Sequence, residues 1–326
     1  MIFSVLAVVV GLVVLVWSAD RFVDGAVGVA QFLGMSTFLI GMLVVGFGTS
    51  APEMVVSILS ALNDTPQLAL GNAYGSNIAN IALILGATAL VAPVVVKKQA
   101  MLRDIPILVL MTVLTVLLLK DGNVSFADGA VLLVAFVALT LFNILMGLKE
   151  KRNHEKESSE ESVPVKVSIG KSILWLLVGI SLLIVSSRLL VWGAVNIAQA
   201  LGVSNLLIGL TIVAVGTSLP ELASSIAAAR RGENDLAVGN VIGSNAFNTL
   251  VVVGIAAVIA PIGSTDPEVL SRDLPIMSAL TLLLFFICFP LKNKGGKRVG
   301  GFGRIGGAFF LLLYAGYLVL LGIGAA

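Results

Sequence analysis

The chain is 326 residues long, 58% hydrophobic and 12% charged, with a mean hydropathy of +1.08 and a formal charge of +2. Soluble domains are about 45–50% apolar and about 25% charged, so these proportions define an integral membrane protein with few residues left for a water-exposed domain. So small a charge carries no nucleic-acid footprint; with Cys288 the single cysteine and His154 the single histidine, an intramolecular disulfide and a zinc- or haem-type ligand set are excluded.

Apolar runs of bilayer length, about 20 residues each, recur along the chain. They are continuous rather than alternating, which predicts helices and not a barrel. The first, 2–19, continues amphipathically to about 32; it is long and lacks a basic leader, so it reads as a retained helix rather than a signal peptide. The second, 38–62, carries GTSAPE at Gly48–Glu53, and the third, 68–90, carries GNAYGSNIAN at Gly71–Asn80. Runs at 105–119 and 126–147 follow. The polar segment 148–171 has mixed charge but neither the spaced ligands nor the turn glycine of a calcium loop, so it reads as a solvated cytoplasmic connector and not as an ion sensor. Beyond it lie 172–200, 205–228 with GTSLPE at Gly216–Glu221, 236–259 with GNVIGSNAFN at Gly239–Asn248, then 274–290 and 306–324.

Basic residues orient these ten spans. Arg21, Lys97, Lys98, Arg103, the cluster from Lys149 to Lys171, Arg230, Arg231 and the group from Lys292 to Arg304 fall on one side, against Lys120, Arg188 and Arg272 on the other. The positive-inside rule makes the first side cytoplasmic, which puts both termini outside, in a plasma or inner membrane.

Sliding the sequence over itself by 168 residues aligns the two pairs of motifs without a gap, and 19 of the 46 positions from Gly41 to Gly86 are identical in their partners. Duplication is the reading. Residues 1–147 and 172–326 then form two five-helix halves joined by 148–171, and an odd helix count makes the second half enter the membrane from the opposite face. The expected fold is therefore an all-α membrane protein of ten transmembrane helices in two inverted five-helix repeats. Such symmetry occurs in carriers and in channels alike.

Glu53 falls near mid-membrane, about 15 residues into its span, and Glu221 occupies the equivalent place. A charge there costs at least a few kcal/mol, so intramembrane carboxylates mark ion or proton pathways. Pro52 and Pro220 free carbonyls around Gly48 and Gly216. Thr49, Ser50, Thr217 and Ser218 add hydroxyls within a turn of each glutamate. Carboxylate, carbonyl and hydroxyl oxygens, with no nitrogen or sulfur, suit hard cations. Ser76 and Asn80 share a helical face, as do Ser244 and Asn248, and can complete a cage, whereas Ser and Asn alone serve equally as interhelical glue. Asn77 points elsewhere and is expected to hydrogen-bond a freed carbonyl. Asp20 and Arg188 align under the repeat but should lie toward opposite faces, and so are not expected to pair with each other.

The doubled GTS-x-PE and GN-x-x-GSN-x-x-N motifs resemble the alpha repeats of the cation/Ca²⁺ antiporter superfamily, and most of all prokaryotic sodium/calcium exchangers, over nearly the whole chain. The resemblance implies that Glu53, Glu221, Thr49 and Thr217 hold Ca²⁺ centrally. It implies flanking Na⁺ sites at Ser50, Ser218, Ser76, Ser244, Gly46 and Ala214, and a middle position lined by Asn80 and Asn248. Some exchangers have an aspartate at one of these last two positions; asparagine at both leaves two carboxylates rather than three. The implied activity is exchange of Ca²⁺ for Na⁺ by alternating access, with no cofactor, no nucleic acid and no obligatory protein partner, and with the long, small-residue-rich first and sixth helices as the moving pair. The rival couplings are H⁺ in place of Na⁺, a cation channel, and an intramembrane hydrolase; the last lacks a histidine within the spans and a second acid near Glu53.

Overall fold

A computed structural model of the chain describes residues 1–96, 100–157, 168–203, 212, 214–288, 291–292 and 298–324. The first helix, α1 (Ile2–Leu33), stops at Gly34, whose φ of 63° turns the chain and lets its N–H cap the carbonyls of Ala30 and Gln31. Ser36 starts α2 (Thr37–Thr49), its hydroxyl accepting from the Leu39 amide at 3.3 Å. The axis then bends by 46° at Ser50 into α3 (Ala51–Leu62). α4 (Gln67–Val91), strand β1 (Val94–Val96), α5 (Ala100–Leu118) and α6 (Phe126–Glu157) complete the first half. The second half contains α7 (Ile169–Ala200), the single turn α8 (Ala214–Thr217), α9 (Leu219–Arg230), α10 (Asn234–Ile259), α11 (Val269–Cys288), β2 (Leu291–Lys292), β3 (Arg298–Phe302) and α12 (Arg304–Gly324).

Among the described residues, eight helices are each long and apolar enough to cross a bilayer, and the bent α2–α3 pair makes a ninth. The expected span 205–228 falls partly outside the described residues; its described part is the end-to-end pair α8 and α9. α3 and α9 have the same bounds displaced by 168 residues, and the wide π-helical turns Ala79–Ile84 and Asn248–Val252 start within one residue of that register. Asp64 and Gly232, aligned under the repeat, both take left-handed backbone, at φ 58° and 79°.

Three boundaries differ from the sequence expectation. α5 and α11 begin about five residues before the apolar runs 105–119 and 274–290, because Arg103 pairs with Asp104 and Arg272 with Asp273, each at 2.8 Å, so neighbouring charges cancel inside the helix. α6 runs on to Glu157, into the segment read as connector, of which 158–167 lie outside the described residues. The strands were not expected: β1–β3–β2 form a small antiparallel sheet, with Val94 opposite Phe302 and Leu291 opposite Val299. A separate bridge joins Val124 to Ile262.

α4 and α10 run through the centre of the bundle. Leu70, Tyr74, Ile78, Ile81 and Ile84 of α4 are fully buried, as are Val241, Leu250, Val252 and Val253 of α10, while α1, α6 and α7 leave broad apolar faces exposed to the lipid. Gly239 and Gly243 bring α10 onto the backbone of Phe38 and Met42 in α2, so closely that a Cβ at either position would strike a carbonyl. Such small-residue approaches substitute for the hydrophobic drive that a bilayer lacks. α1 and α7 pack chiefly on each other and cross antiparallel: Gly11 meets Leu190, Phe22 meets Gly179, and Gly25 meets Ser172 and Leu176.

Candidate ion-binding site

The GTS-x-PE motifs sit where the helices break. Ser50 lies between α2 and α3 with φ −84° and ψ 4°, and Ser218 between α8 and α9 with φ −93° and ψ 9°. Pro52 and Pro220 fall in the first turn of the following helix, where a missing N–H goes unnoticed, but each deprives the carbonyl four residues earlier of its helical donor. For Gly216 the missing hydrogen comes from Ser187 of α7, whose Oγ donates to the carbonyl at 2.8 Å. Ala19, the equivalent of Ser187 in the first half, has no hydroxyl to offer.

Glu53 and Glu221 occupy the first turns of α3 and α9, facing the partial positive charge of a helix N-terminus, and both are buried to 1% exposure. Ser50, one turn before Glu53, donates its hydroxyl to Oε1 of Glu221 at 3.3 Å. That bond brings the two carboxyl-bearing turns together across the halves. Thr49 Oγ1 lies 3.0 Å from the Val45 carbonyl and 3.4 Å from Ser244 Oγ, and Ser244 Oγ in turn donates to the Gly46 carbonyl at 3.4 Å. Asn80 donates through Nδ2 to Asn245 Oδ1 at 2.9 Å.

Thr49, Ser50, Ser218, Ser76, Ser244, Asn80 and Asn248 are all buried beside the glutamates' helices, and Ala214 opens α8 three residues before Thr217. Several of their oxygens have no hydrogen-bond partner among the described residues: both of Glu53, Oε2 of Glu221, Oγ of Ser218, Oδ1 of Asn80 and Oδ1 of Asn248. Buried polar atoms are normally satisfied, so such a concentration of acceptors marks a place built to bind something. No three of His, Cys, Asp and Glu converge among the described residues; the donor set is two carboxylates with hydroxyl, amide and carbonyl oxygens. A cleft of about 260 Å³ reaches this region between α7 and the helix breaks, lined by Pro52, Ser187, Arg188, Gly216, Thr217 and Pro220.

Sequence reasoning misplaced one bond and overlooked others. Asn77 donates not to a freed carbonyl but to Thr249 Oγ1 at 2.8 Å. Asn72 and Asn240 touch the glutamate helices directly, although only their identity under the 168-residue offset could have singled them out. Asp20 does not meet Arg188, as expected, and pairs instead with Arg231 at 3.3 Å.

A multi-pass helical protein whose buried centre offers oxygen ligands from two broken helices belongs to the class of membrane cation transporters. The profile of the family described as sodium/calcium exchanger protein matches residues 3–145 and 171–322. The chain is 37% identical over 324 residues to the inner membrane protein YrbG of Escherichia coli K12, covering 98% of this chain and 96% of that protein. It is 29% identical over 351 residues to the sodium/calcium exchanger MaX1 of Methanosarcina acetivorans, covering 97% of each. A solved structure of the sodium-calcium exchanger NCX_Mj, soaked with zero Na⁺ and Ca²⁺, superposes with a TM-score of 0.81 at 32% identity, covering 98% of this chain and 99% of that one. The chain belongs to the sodium/calcium exchanger family. Its work is membrane transport of ions by exchange, as the motif resemblance implied.

Proposed function

We propose that the protein exchanges Ca²⁺ for Na⁺ by alternating access, using ten transmembrane helices in two inverted five-helix repeats, 1–147 and 172–326, linked by 148–171. It resides in a plasma or inner membrane with both termini outside. The observation that carries the reading is the pair of buried glutamates, one from each half, joined through the Ser50–Glu221 bond and surrounded by unpartnered oxygens. Glu53, Glu221, Thr49 and Thr217 hold Ca²⁺ at the centre. Ser50, Ser218, Ser76, Ser244 and the carbonyls of Gly46 and Ala214 hold Na⁺ on either flank, with Asn80 and Asn248 between. Two carboxylates can be neutralised by one Ca²⁺ or by several Na⁺. Either load can then cross the apolar core, while the empty site, left with two buried charges, is penalised. Inversion is supported by α1 and α7, corresponding helices that cross antiparallel. The moving pair is α1 and α7.

The test is radioactive Ca²⁺ uptake into proteoliposomes under imposed Na⁺ or H⁺ gradients. Uptake driven by a Na⁺ gradient and insensitive to a pH gradient is the expected outcome. The reverse makes H⁺ the coupling ion, and Ca²⁺ entry without any counter-ion makes the protein a channel.

A further inference from the structure

α4 and α10 each carry an asparagine that the ligand set above does not use. Asn72 lies four residues before Ser76 and eight before Asn80, so all three share one face of α4; Asn240, Ser244 and Asn248 share the equivalent face of α10. The Asn72 amide donates to the backbone carbonyl of Glu53 at 3.0 Å and to Ser57 Oγ at 3.1 Å. The Asn240 amide approaches the carbonyl of Glu221 at 3.3 Å, Ser225 Oγ at 2.9 Å and Ser224 Oγ at 3.1 Å. The acceptors Glu53 and Glu221, like Ser57 and Ser225, are 168 residues apart, so one construction is built twice. Asn240 adds a link to the other half, its Oδ1 accepting from Thr49 Oγ1 at 3.2 Å.

We propose that Asn72 and Asn240 are positioning residues that set the site's preference among cations of different size, each pinning the first turn of a glutamate-bearing helix to the ligand-bearing face of the helix that follows. The proposal rests on the reading that the glutamates and the Ser76/Asn80 and Ser244/Asn248 faces bind the transported ion. A carbonyl oxygen has two lone pairs; the helix ladder uses one and the asparagine amide reaches the other, which at Glu221 it shares with the Ser224 hydroxyl, donating at 3.1 Å, so that the carboxyl group itself is left for a cation. General interhelical glue would join the helices at any convenient register. These amides instead land on the glutamate residue itself, in both halves, from the same face that carries the candidate ligands. Oxygen cages discriminate among hard cations by cavity size and rigidity. Loosening the register therefore alters selectivity, where loss of a merely structural contact alters yield, stability or rate.

The experiment uses the full chain in proteoliposomes under a Na⁺ gradient and compares Ca²⁺, Sr²⁺ and Ba²⁺ uptake by the wild type, Asn72→Ala and Asn240→Ala. The Ca²⁺-induced rise in thermal midpoint, measured in detergent, reports binding independently of transport. Apparent Ca²⁺ affinity is expected to fall roughly tenfold, the scale of one or two lost hydrogen bonds, with the preference for Ca²⁺ over Ba²⁺ narrowed and the larger change at Asn240. Ser57→Ala and Ser225→Ala, which spare the bond to the glutamate carbonyl, should shift both quantities the same way but less; they carry the test if an asparagine variant does not fold. Folded asparagine variants with wild-type affinity and ion preference, or serine variants that change neither, overturn the proposal. A wild type with neither gradient-driven uptake nor a Ca²⁺-induced thermal shift overturns the reading of the site instead.

Discussion

Glu53 and Glu221 are tolerated at the centre of an apolar bundle because each starts a helix and faces its unpaired amides rather than hydrocarbon. Stability is not what they supply, since a buried carboxyl short of partners is a cost to folding. Glu53→Gln and Glu221→Gln keep shape and remove the charge, so each should abolish Ca²⁺ exchange while leaving thermal unfolding in detergent unchanged or slightly raised. Near-normal Ca²⁺ uptake by either variant, measured beside its melting curve, would remove the carboxylates from the site. These glutamates were legible in the sequence because a charge inside an apolar run is conspicuous and its repetition more so. Ser187, Ser57 and Asn72 were not. Ser187 and Asn72 donate to backbone carbonyls and Ser57 accepts from Asn72, and which carbonyl is free, and which helix lies opposite it, depends on the bend at the prolines.

At the scale of the element, α1 and α7 meet the core differently at their two ends. At one end Arg231, just past α9, pairs with Asp20 and Asp24 of α1, and Arg21 lies 5.8 Å from the Trp17 ring and 5.4 Å from that of Trp175. Under the repeat, Asp20, Asp24 and Arg231 correspond to Arg188, Trp192 and Asn63, so no acid–base pair can form from them at the other end. There the hold is the uncharged bond from Ser187 to the Gly216 carbonyl. The two links should answer differently to salt. The ion-paired side chains are more than a third exposed on average, so Arg231→Gln should cost no more than about 1 kcal/mol, and the loss should shrink as ionic strength rises. Ser187→Ala strands a buried carbonyl and should cost about 1–2 kcal/mol at any salt concentration. Thermal midpoints of both variants at low and high salt check this; an equal gap for Arg231→Gln under the two conditions would show that its charge does not contribute.

For the molecule as a whole, the 168-residue offset read from the sequence reappears in helix bounds and turn conformations, because the same local signals (a proline after a serine, a glycine or aspartate ending a helix) act twice. The small sheet was illegible: Val94–Val96 is three residues long, and its pairing with β3 depends on helix ends distant in sequence being brought together by the bundle. That pairing bears on topology. Val94 pairs with Phe302, while Ile262, its equivalent under the offset, bridges to Val124 instead. If the chain has the ten alternating spans proposed, the first contact joins two odd-numbered connections and the second two even-numbered ones, as inverted repeats with aligned positions on opposite membrane faces require. Cysteines at Thr65 and Glu233, aligned positions just after α3 and α9, would report this directly. Thr65 is exposed and Glu233 partly so, and neither belongs to the candidate site. Cys288 is buried among apolar side chains, so it is best replaced by alanine, which introduces no polar group. In right-side-out vesicles an impermeant maleimide should label the Thr65 cysteine, and in inverted vesicles the Glu233 cysteine. Labelling of both from one side would make the repeats parallel, and an even number of spans would then have to separate the two motifs.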